Sequence, residues 1–474
     1  MTPPSSPATY LVLVCGTGAF GGFLFGFDTA VISGTVGPLE RQFRLGAALL
    51  GWTVSSALLG SVIGAAASGT LSDRYGRKIS LTLAGVLFLV SAVGSALAPA
   101  LWALIAARLV GGVGVGIAGM IAPLYVAEVS PAAVRGRMVA LCQLAITIGV
   151  LSAYVSNTLL RQLADSGDSS GGLGPFGWFR DEVWRGMFAA EALPAAMFCA
   201  ALLWVPESPR FLARQGAYQK AEAVLGRLAG SASASAQMVE IREALAREGG
   251  SFRELFSGPL AKPTFIAIYL SMFSQLSGID VVIYYGPKIF EEGGFSFGRA
   301  LDGQVLIGII LVLFTLVALW KIDRAGRRLL LAVGNAGVFL TLLLMGLFFS
   351  LEAVSGAWLI VATSGFIASF AFSLGPIPWI VMAEIFPTKL RGRAMALATL
   401  VLFGTTGLLG QVFPWMLGTL GAANTFYVLA AGTLPTFVFA WKILPETMGR
   451  TLEEIERTWV SSGGSQLGES GEKG

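Results

Sequence analysis

The sequence of 474 residues contains no histidine, only three cysteines and few charges, since Asp, Glu, Lys and Arg make up 13% of it. Without histidine, the commonest metal ligand and general base of enzymes is missing. Cys15, Cys142 and Cys199 lack the spacing of metal or redox motifs, so we expect them to pack in the interior. No nucleophile motif or phosphate-binding loop is present. The sequence therefore argues against an enzyme, and we predict no metal site and no cofactor.

Hydrophobic residues make up 55% of the chain, and its mean hydropathy is +0.73. A soluble protein of this length could not cover so much apolar surface. Uncharged windows of about 20 residues, long enough to span a bilayer, recur throughout. We predict an all-α membrane protein with twelve transmembrane helices, near residues 10–32, 48–70, 79–98, 102–126, 138–160, 186–205, 263–289, 303–321, 329–350, 357–383, 394–417 and 424–443.

Most of the 32 Lys and Arg residues fall in segments that share one side of the membrane with both chain ends. By the positive-inside rule this side is the cytoplasm. The first apolar run is too long for the core of a secretory signal, so we read it as a retained helix. We expect a multi-pass protein of the plasma (inner) membrane with both termini cytoplasmic. The net charge of +4 then reflects topology, and the expected surroundings are lipid rather than nucleic acid.

Polar motifs occur twice, about half the chain apart. The 73–78 motif (Asp-Arg-Tyr-Gly-Arg-Lys) returns at 323–328, the 128–137 motif returns at 384–393, and the 206–210 motif has a looser echo at 445–450. Such internal repeats are typical of secondary transporters built from two similar halves around a central site.

We therefore predict two pseudo-symmetric halves of six helices each. The first half covers residues 10–205 and the second half covers 263–444. Residues 206–262 form a cytoplasmic linker of short amphipathic helices, and residues 445–474 form a cytoplasmic tail. We expect one chain to be functional as a monomer.

Three ionisable residues lie within predicted helices of the first half: Asp28, Arg108 and Glu191. A charge near the middle of a membrane helix costs roughly 2.5–3.5 kcal/mol, so such residues usually serve a function. A carboxylate beside an arginine holds its charge, and protonation would release the pair, as a proton-coupled switch requires. The alternative is that Asp28 and Arg108 only lock packing and that Glu191 is interfacial.

The repeated cytoplasmic motifs place acidic residues beside arginines. We predict that salt bridges there latch the two halves together and part when the cytoplasmic side opens. The alternative is that the arginines only obey the positive-inside rule. The residues of this predicted latch are Glu128, Arg135, Arg137, Glu384, Arg391, Arg393, Arg74 and Arg324.

Together these motifs resemble the sugar porter family of the major facilitator superfamily, over nearly the whole chain. The ordered set comprises Arg108–Gly116, Pro206–Arg210, Gln275–Gly278, Tyr284-Tyr285 and Gly375–Trp379. Within the family the chain looks most like the bacterial xylose–proton symporter. The resemblance implies the major facilitator fold and proton-coupled symport of a pentose or hexose by alternating access. Asp28 would then take the proton, with Arg108 as its partner and Glu191 nearby.

The resemblance also implies a sugar site. Gln143, Gln275 and Trp379 match residues that contact sugar in relatives. Ser274 and Asp280 stand where the family has glutamine and asparagine. Asp280 accepts hydrogen bonds but cannot donate one while ionised.

Further amides of the family pattern are replaced by Leu311 and Leu402, which would either weaken binding of a standard hexose or fit a substrate with fewer hydroxyls. Tyr284 and Tyr285 are candidate gate residues. Gly375, Pro376 and Pro378 interrupt helix hydrogen bonding and predict a hinge in the tenth helix. The alternative is that Gln275, Trp379, Tyr284 and Tyr285 only pack helices, as aromatic residues and Gly-Pro runs also do.

Two other functions remain open from the sequence. A facilitative sugar or polyol uniporter would share the architecture and differ only in proton movement. A sugar sensor is disfavoured because only about thirty residues follow the last predicted span, with no evident signalling module.

Overall fold

The computed structural model describes residues 7–166, 182–246, 252–351, 356–386, 390–444 and 446. Within these ranges the chain is helical and has no strand. The first seven helices are α1 (Pro7–Phe43), α2 (Ala47–Tyr75), α3 (Arg77–Ala96), α4 (Leu101–Val129), α5 (Arg135–Ser166), α6 (Val183–Ala190) and α7 (Ala192–Leu202). They make six spans, because α6 and α7 form one span interrupted at Glu191.

Three short helices follow: α8 (Pro209–Arg214), α9 (Tyr218–Ala229) and α10 (Ser231–Ala246). We call these three helices the linker. The end of the bundle that carries them is the linker end, and the other end is the opposite end. Two 3-10 turns come next, at Phe252–Phe256 and Gly258–Leu260. The second group of spans consists of α11 (Ala261–Leu276), α12 (Ile279–Glu292), α13 (Phe297–Ala325), α14 (Arg327–Ser350), α15 (Gly356–Phe372), α16 (Pro376–Ile385) and α17 (Arg391–Lys442).

The last helix contains two spans. With 52 residues, α17 would be ~78 Å long if straight, whereas the core of a bilayer is ~30 Å thick. Gly421 interrupts it with a φ of 77°, a left-handed conformation that glycine adopts without steric cost. The break predicted between the spans near 394–417 and 424–443 is therefore confirmed, and α17 supplies the eleventh and twelfth spans.

Three spans are interrupted near their middle, and the sequence indicated one of them. The tenth span breaks between α15 and α16, where Gly375 and Pro376 predict a hinge. The seventh span was predicted as one helix, but it breaks between α11 and α12. Gly278 takes a φ of 86° there. Ser277-Gly278 is a local turn signal, but the apolar residues on either side of this short polar stretch made the whole segment look like one span.

The first helix also extends beyond its predicted end at residue 32. It continues to Phe43 through Glu40 and Arg41. Hydropathy marks the part of a helix that lies in lipid, whereas the backbone hydrogen bonds continue into the polar region beyond it. The predicted tail at 445–474 lies outside the described residues, except for Glu446.

Glycines let α2 and α4 approach closely. A Cβ atom at Gly112 would lie 1.8 Å from the carbonyl oxygen of Ala57, and one at Gly60 would lie 2.1 Å from that of Leu109. Membrane helices associate through close backbone packing because lipid gives them no hydrophobic drive to associate. This contact therefore sets the internal packing of the first half.

Two buried asparagines tie helices together through backbone carbonyls. Asn157 of α5 donates to the carbonyl oxygen of Val31 in α1 at 3.1 Å. Asn335 of α14 donates to that of Thr433 in α17 at 2.9 Å. Each half thus contains a polar cross-link between two of its own helices.

The linker packs on the first half. Its helices share a small core formed by Ala213, Ala221, Leu225, Ala234 and Met238. Arg214 of α8 forms an ion pair with Asp73 at the end of α2, with 2.6 Å between Nη1 and Oδ1.

Exposed tryptophans mark both ends of the bundle. Each is between 54% and 64% exposed, and amphipathic rings of this kind favour the lipid–water interface. Trp102, Trp358 and Trp415 lie at the opposite end, and Trp204, Trp320 and Trp441 lie at the linker end.

We predict that Gly112→Ala destabilises the protein by about 1–3 kcal/mol, because the added methyl overlaps the backbone of α2. Thermal unfolding in detergent, followed by size-exclusion chromatography, measures this. Gly69→Ala is the matched control, since a Cβ atom there meets nothing within 4 Å. Equal melting temperatures for the two variants would contradict the packing argument.

Candidate functional site

A buried ion pair joins the first and fourth spans. Arg108 Nη1 of α4 donates to Asp28 Oδ1 of α1 at 2.6 Å, and Nη2 donates to the Asp28 carbonyl oxygen at 3.3 Å. The two residues are 2% and 1% exposed. A Cβ atom at Gly111 would lie 3.4 Å from Asp28 Oδ1 and 2.3 Å from Ser91 Oγ, so glycine leaves room beside the pair.

Glu191 completes a cluster of three ionisable groups. It is 1% exposed, and within the described residues neither of its oxygens has a hydrogen-bond partner. Asp28 and Arg108 are its charged neighbours. With Asp28 ionised the pair is neutral, and the second carboxylate has no cation left to balance it. Burying an unbalanced charge is costly, so the cluster is balanced when it holds one proton.

The cluster faces the boundary between the two halves. A small cavity beside it is bounded by Asp28 and Arg108 from the first half and by Tyr284 of α12 from the second half. The remaining wall is mostly apolar and is formed by Thr29, Ile32, Val54, Ala57, Leu58, Ser61 and Val115. The ion pair therefore lies where a residue of the second half, Tyr284, meets the first half.

Three of the predicted sugar contacts flank the break in the seventh span. Gln275 is 8% exposed, and its Oε1 has no hydrogen-bond partner among the described residues. Ser274 Oγ donates to the Ser271 carbonyl oxygen at 3.1 Å, so this hydroxyl proton is used within its own helix. Of these two side chains, Gln275 is thus the one with an acceptor, Oε1, that no described residue occupies.

Asp280 lies in the first turn of α12, where the helix dipole favours a negative charge. Its Oδ2 accepts from Thr406 Oγ1 of α17 at 3.1 Å, and its side chain remains partly exposed. Among the described residues it forms no ion pair. The other predicted contacts, Gln143 of α5 and Trp379 of α16, are half-buried and come from different halves.

The predicted gate residues have different surroundings. Tyr284 borders the cavity beside Asp28, whereas Tyr285 donates through its hydroxyl to the Gly410 carbonyl oxygen at 2.8 Å, within the second half. Gly375 and Pro376 stand at the start of α16, and Pro378 lies in its first turn.

The acidic residues of the predicted latch pair inside their own halves. Glu128 accepts from Arg77 Nη2 at 2.8 Å and from Ser208 Oγ at 2.5 Å. In the second half, Arg327 Nη2 donates to Glu384 at 3.0 Å. Both ion pairs join neighbouring spans of one half.

The arginines of the latch are spread over the linker end. Arg135 and Arg137 are exposed, and Arg391 Nη2 donates to the Phe386 carbonyl oxygen at 3.4 Å. Arg393 is half-buried, and Arg74 is exposed with its guanidinium 5.4 Å from the centre of the Tyr75 ring. The side chain of Arg324 lies outside the described part.

Sequence reasoning missed two acidic caps. Glu207 accepts backbone N–H groups from Arg77 at 2.9 Å and Lys78 at 3.2 Å, at the start of α3. Burial raises the pKa of the Glu207 carboxyl, and the backbone N–H groups oppose this. Glu446 accepts from Arg327 N at 3.1 Å and Arg328 N at 3.2 Å, at the start of α14. The repeated Pro-Glu pair was the signal, because a carboxylate is favoured at a helix N-terminus.

Polar contacts across the boundary also escaped prediction. Lys288 Nζ of α12 pairs with Glu40 of α1 at 2.7 Å. Gln411 of α17 accepts from Ser55 Oγ at 2.9 Å and donates to the Ala48 carbonyl oxygen at 3.0 Å. These contacts lie at the opposite end, so the halves are closed against each other there.

The two six-helix halves and the charged cluster at their boundary define a membrane transporter of the major facilitator superfamily. The family model described as "Sugar (and other) transporter" matches residues 14–459. The chain belongs to this family, as its motifs predict.

Known relatives cover nearly the whole chain. The arabinose-proton symporter of Bacillus subtilis (strain 168) is 37% identical, over 96% of this chain and 98% of its own length. The D-xylose-proton symporter of Escherichia coli (strain K12) is 35% identical, over 95% and 96%. A partially occluded inward open structure of the xylose transporter from E. coli superposes with a TM-score of 0.82 at 33% identity, covering 94% of this chain and 100% of that one. The predicted fold is confirmed.

We predict that Glu40→Gln raises the population open at the opposite end by up to about fivefold, since a half-exposed ion pair contributes up to ~1 kcal/mol. Distances between spin labels at Leu163 and Arg299 measure this, in a background that lacks the three native cysteines. High salt should shrink the difference.

The control exchanges the two charges, with Glu40→Lys and Lys288→Glu in one chain. If the Glu40–Lys288 ion pair keeps the two halves closed at the opposite end, the protein with exchanged charges recovers the wild-type distances. Distances that stay as in the single variant would contradict this role.

Proposed function

We propose that this chain is a proton-coupled monosaccharide symporter that carries a pentose or hexose, such as xylose or glucose, by alternating access. The observation that carries the proposal is the buried Asp28–Arg108 pair with Glu191 beside it, at the boundary between the halves. The names of the relatives, which include a D-xylose-proton and an arabinose-proton symporter, support the same chemistry.

In this mechanism Asp28 takes the proton. Neutral Asp28 no longer balances Arg108, so the guanidinium turns to Glu191 as its alternative carboxylate. With Asp28 and Glu191 both ionised the cluster has a net charge of −1, and the proton taken up by Asp28 makes it neutral, which an apolar site favours. Because Tyr284 closes the cavity from the second half, the exchange changes the contact between the halves.

Gln275 and Asp280 bind the sugar from the second half in this mechanism, and Gln143 binds it from the first half. Gln275 offers an unoccupied acceptor, and Asp280 accepts from hydroxyl pairs. Trp379, which follows the hinge formed by Gly375 and Pro376 along the chain, packs its ring against the apolar face of the sugar.

The linker end is the cytoplasmic end in this proposal, since it carries the arginine-rich motifs. The contacts at the opposite end then close the outside, and the chain stands in an inward-facing state. When the outside opens, Glu128 and Glu384 meet the arginines of the other half and latch the inside. One chain supplies every group named, so a monomer suffices.

We predict that Asp28→Asn abolishes proton-driven accumulation but retains sugar exchange. The amide cannot take up a proton, but its oxygen can still accept the hydrogen bond from Arg108. Proteoliposome uptake of labelled xylose and glucose, with and without an inward proton gradient, measures this. Asp165→Asn, an exposed carboxylate of α5, is the control.

Equal uptake by the wild type with and without the gradient would make the chain a uniporter and leave Asp28 structural. A polyol carrier would show as gradient-driven uptake of a polyol such as inositol but not of either sugar.

We predict that Asp280→Asn raises the apparent KM for sugar about tenfold and leaves proton coupling intact, since a hydrogen bond to a charged group contributes about 1.5–3 kcal/mol and one to a neutral amide about 1 kcal/mol. Asp302→Asn, an exposed carboxylate of α13, is the matched control. An unchanged KM with lost coupling would show that Asp280 handles a proton instead.

A further inference from the structure

Pro287 leaves one backbone carbonyl of α12 without its helical partner. In a helix the N–H of residue 287 would donate to the carbonyl oxygen of Ile283, but proline has no N–H. Ile283 is 7% exposed, so water does not readily replace the missing donor. A buried carbonyl oxygen needs another partner.

Gln304 of α13 is the first donor to this carbonyl. Its Nε2 lies 3.0 Å from the Ile283 carbonyl oxygen and 3.4 Å from that of Val282. Gly286 makes the approach possible, since a Cβ atom there would lie 2.2 Å from Gln304 Oε1. Both helices belong to the second half, so this bond is kept when the halves move relative to each other.

Tyr154 of α5 is the second donor, and it comes from the first half. Its hydroxyl lies 3.3 Å from the Ile283 carbonyl oxygen, and the residue is 1% exposed. Gly308 of α13 lets the ring approach, because a Cβ atom there would lie 3.0 Å from Tyr154 Cδ2. This bond crosses the boundary and exists only while α12 rests against the first half.

We propose that Tyr154 is a positioning residue that holds α12 closed through the carbonyl that Pro287 frees. The inference rests on the proposed alternating access. Gln304 keeps the carbonyl satisfied in every state, so opening costs only the bond to Tyr154. The Tyr154 hydrogen bond differs from the Glu40–Lys288 ion pair, which lies about one turn further along α12. The hydrogen bond joins two neutral groups, so salt does not screen it.

The test is Tyr154→Phe, which removes the hydroxyl and keeps the ring. We expect the population open at the opposite end to rise about two- to tenfold, the range for one hydrogen bond. The Leu163–Arg299 spin-label distance reports it, and the shift should persist at high salt. Tyr125→Phe is the matched control, since that buried hydroxyl donates to the Pro206 carbonyl oxygen at 2.8 Å, a bond at the linker end that does not cross the boundary.

A double variant separates the hydroxyl from ring packing. Pro287→Ala restores the N–H donor to Ile283, so in that background Tyr154→Phe should shift the distances less. An equal shift in both backgrounds would overturn the proposal, as would a Tyr154→Phe protein with wild-type distances. The readout needs no transport, so a wild type that fails to move sugar would count against the proposed function alone.

Discussion

A bilayer gives no hydrogen-bond partner to the polar groups of a chain that crosses it, and the structure depends on this constraint throughout. Regular helices satisfy most backbone groups. Every departure from that rule needs a partner from another helix. The carbonyl oxygen of Ile283 accepts from two side chains. The buried amides of Asn157 and Asn335 donate to backbone carbonyl oxygens of neighbouring helices, and Asp28 accepts from Arg108. The Asp28–Arg108 pair, on which the proposed function rests, is one of these departures.

The same constraint explains how the two halves keep their shape while moving. At the linker end, Arg77 pairs with Glu128, and Arg327 pairs with Glu384. Glu207 and Glu446 cap the helices that begin there. Each set ties neighbouring spans of one half together, so each half behaves as one body. The contacts that break when the opposite end opens are then the few that cross the boundary, such as the Glu40–Lys288 pair and the Tyr154 hydrogen bond.

Much of this architecture follows from the sequence because its causes are local or repeated. Apolar runs place the spans, the repeated motifs give the two halves, and Gly421 ends the eleventh span where a turn was expected. Membrane ionisable residues are rare, so Asp28, Arg108 and Glu191 could be singled out before their positions were known.

The rest depends on which segments meet in space. Glu40 and Lys288 are 248 residues apart, and neither lies in a motif that repeats. The role of Tyr154 requires knowing that α5 packs beside Pro287. The turn at Gly278 was missed because the hydropathy of the whole segment is high enough for one span, although Ser277-Gly278 is a local turn signal. Hydropathy reports where a helix meets lipid, and it carries no information on which polar groups share a boundary.

The exposed tryptophans have a mechanical consequence. Each half carries them at both ends: Trp102 and Trp204 in the first, and Trp320, Trp358, Trp415 and Trp441 in the second. Rings anchored at both interfaces resist sliding along the membrane normal. The halves are therefore left with rocking about an axis in the membrane plane. The energy of that rocking includes the strain of the surrounding lipid, so the thickness of the bilayer becomes one of the terms that set the balance between the two states.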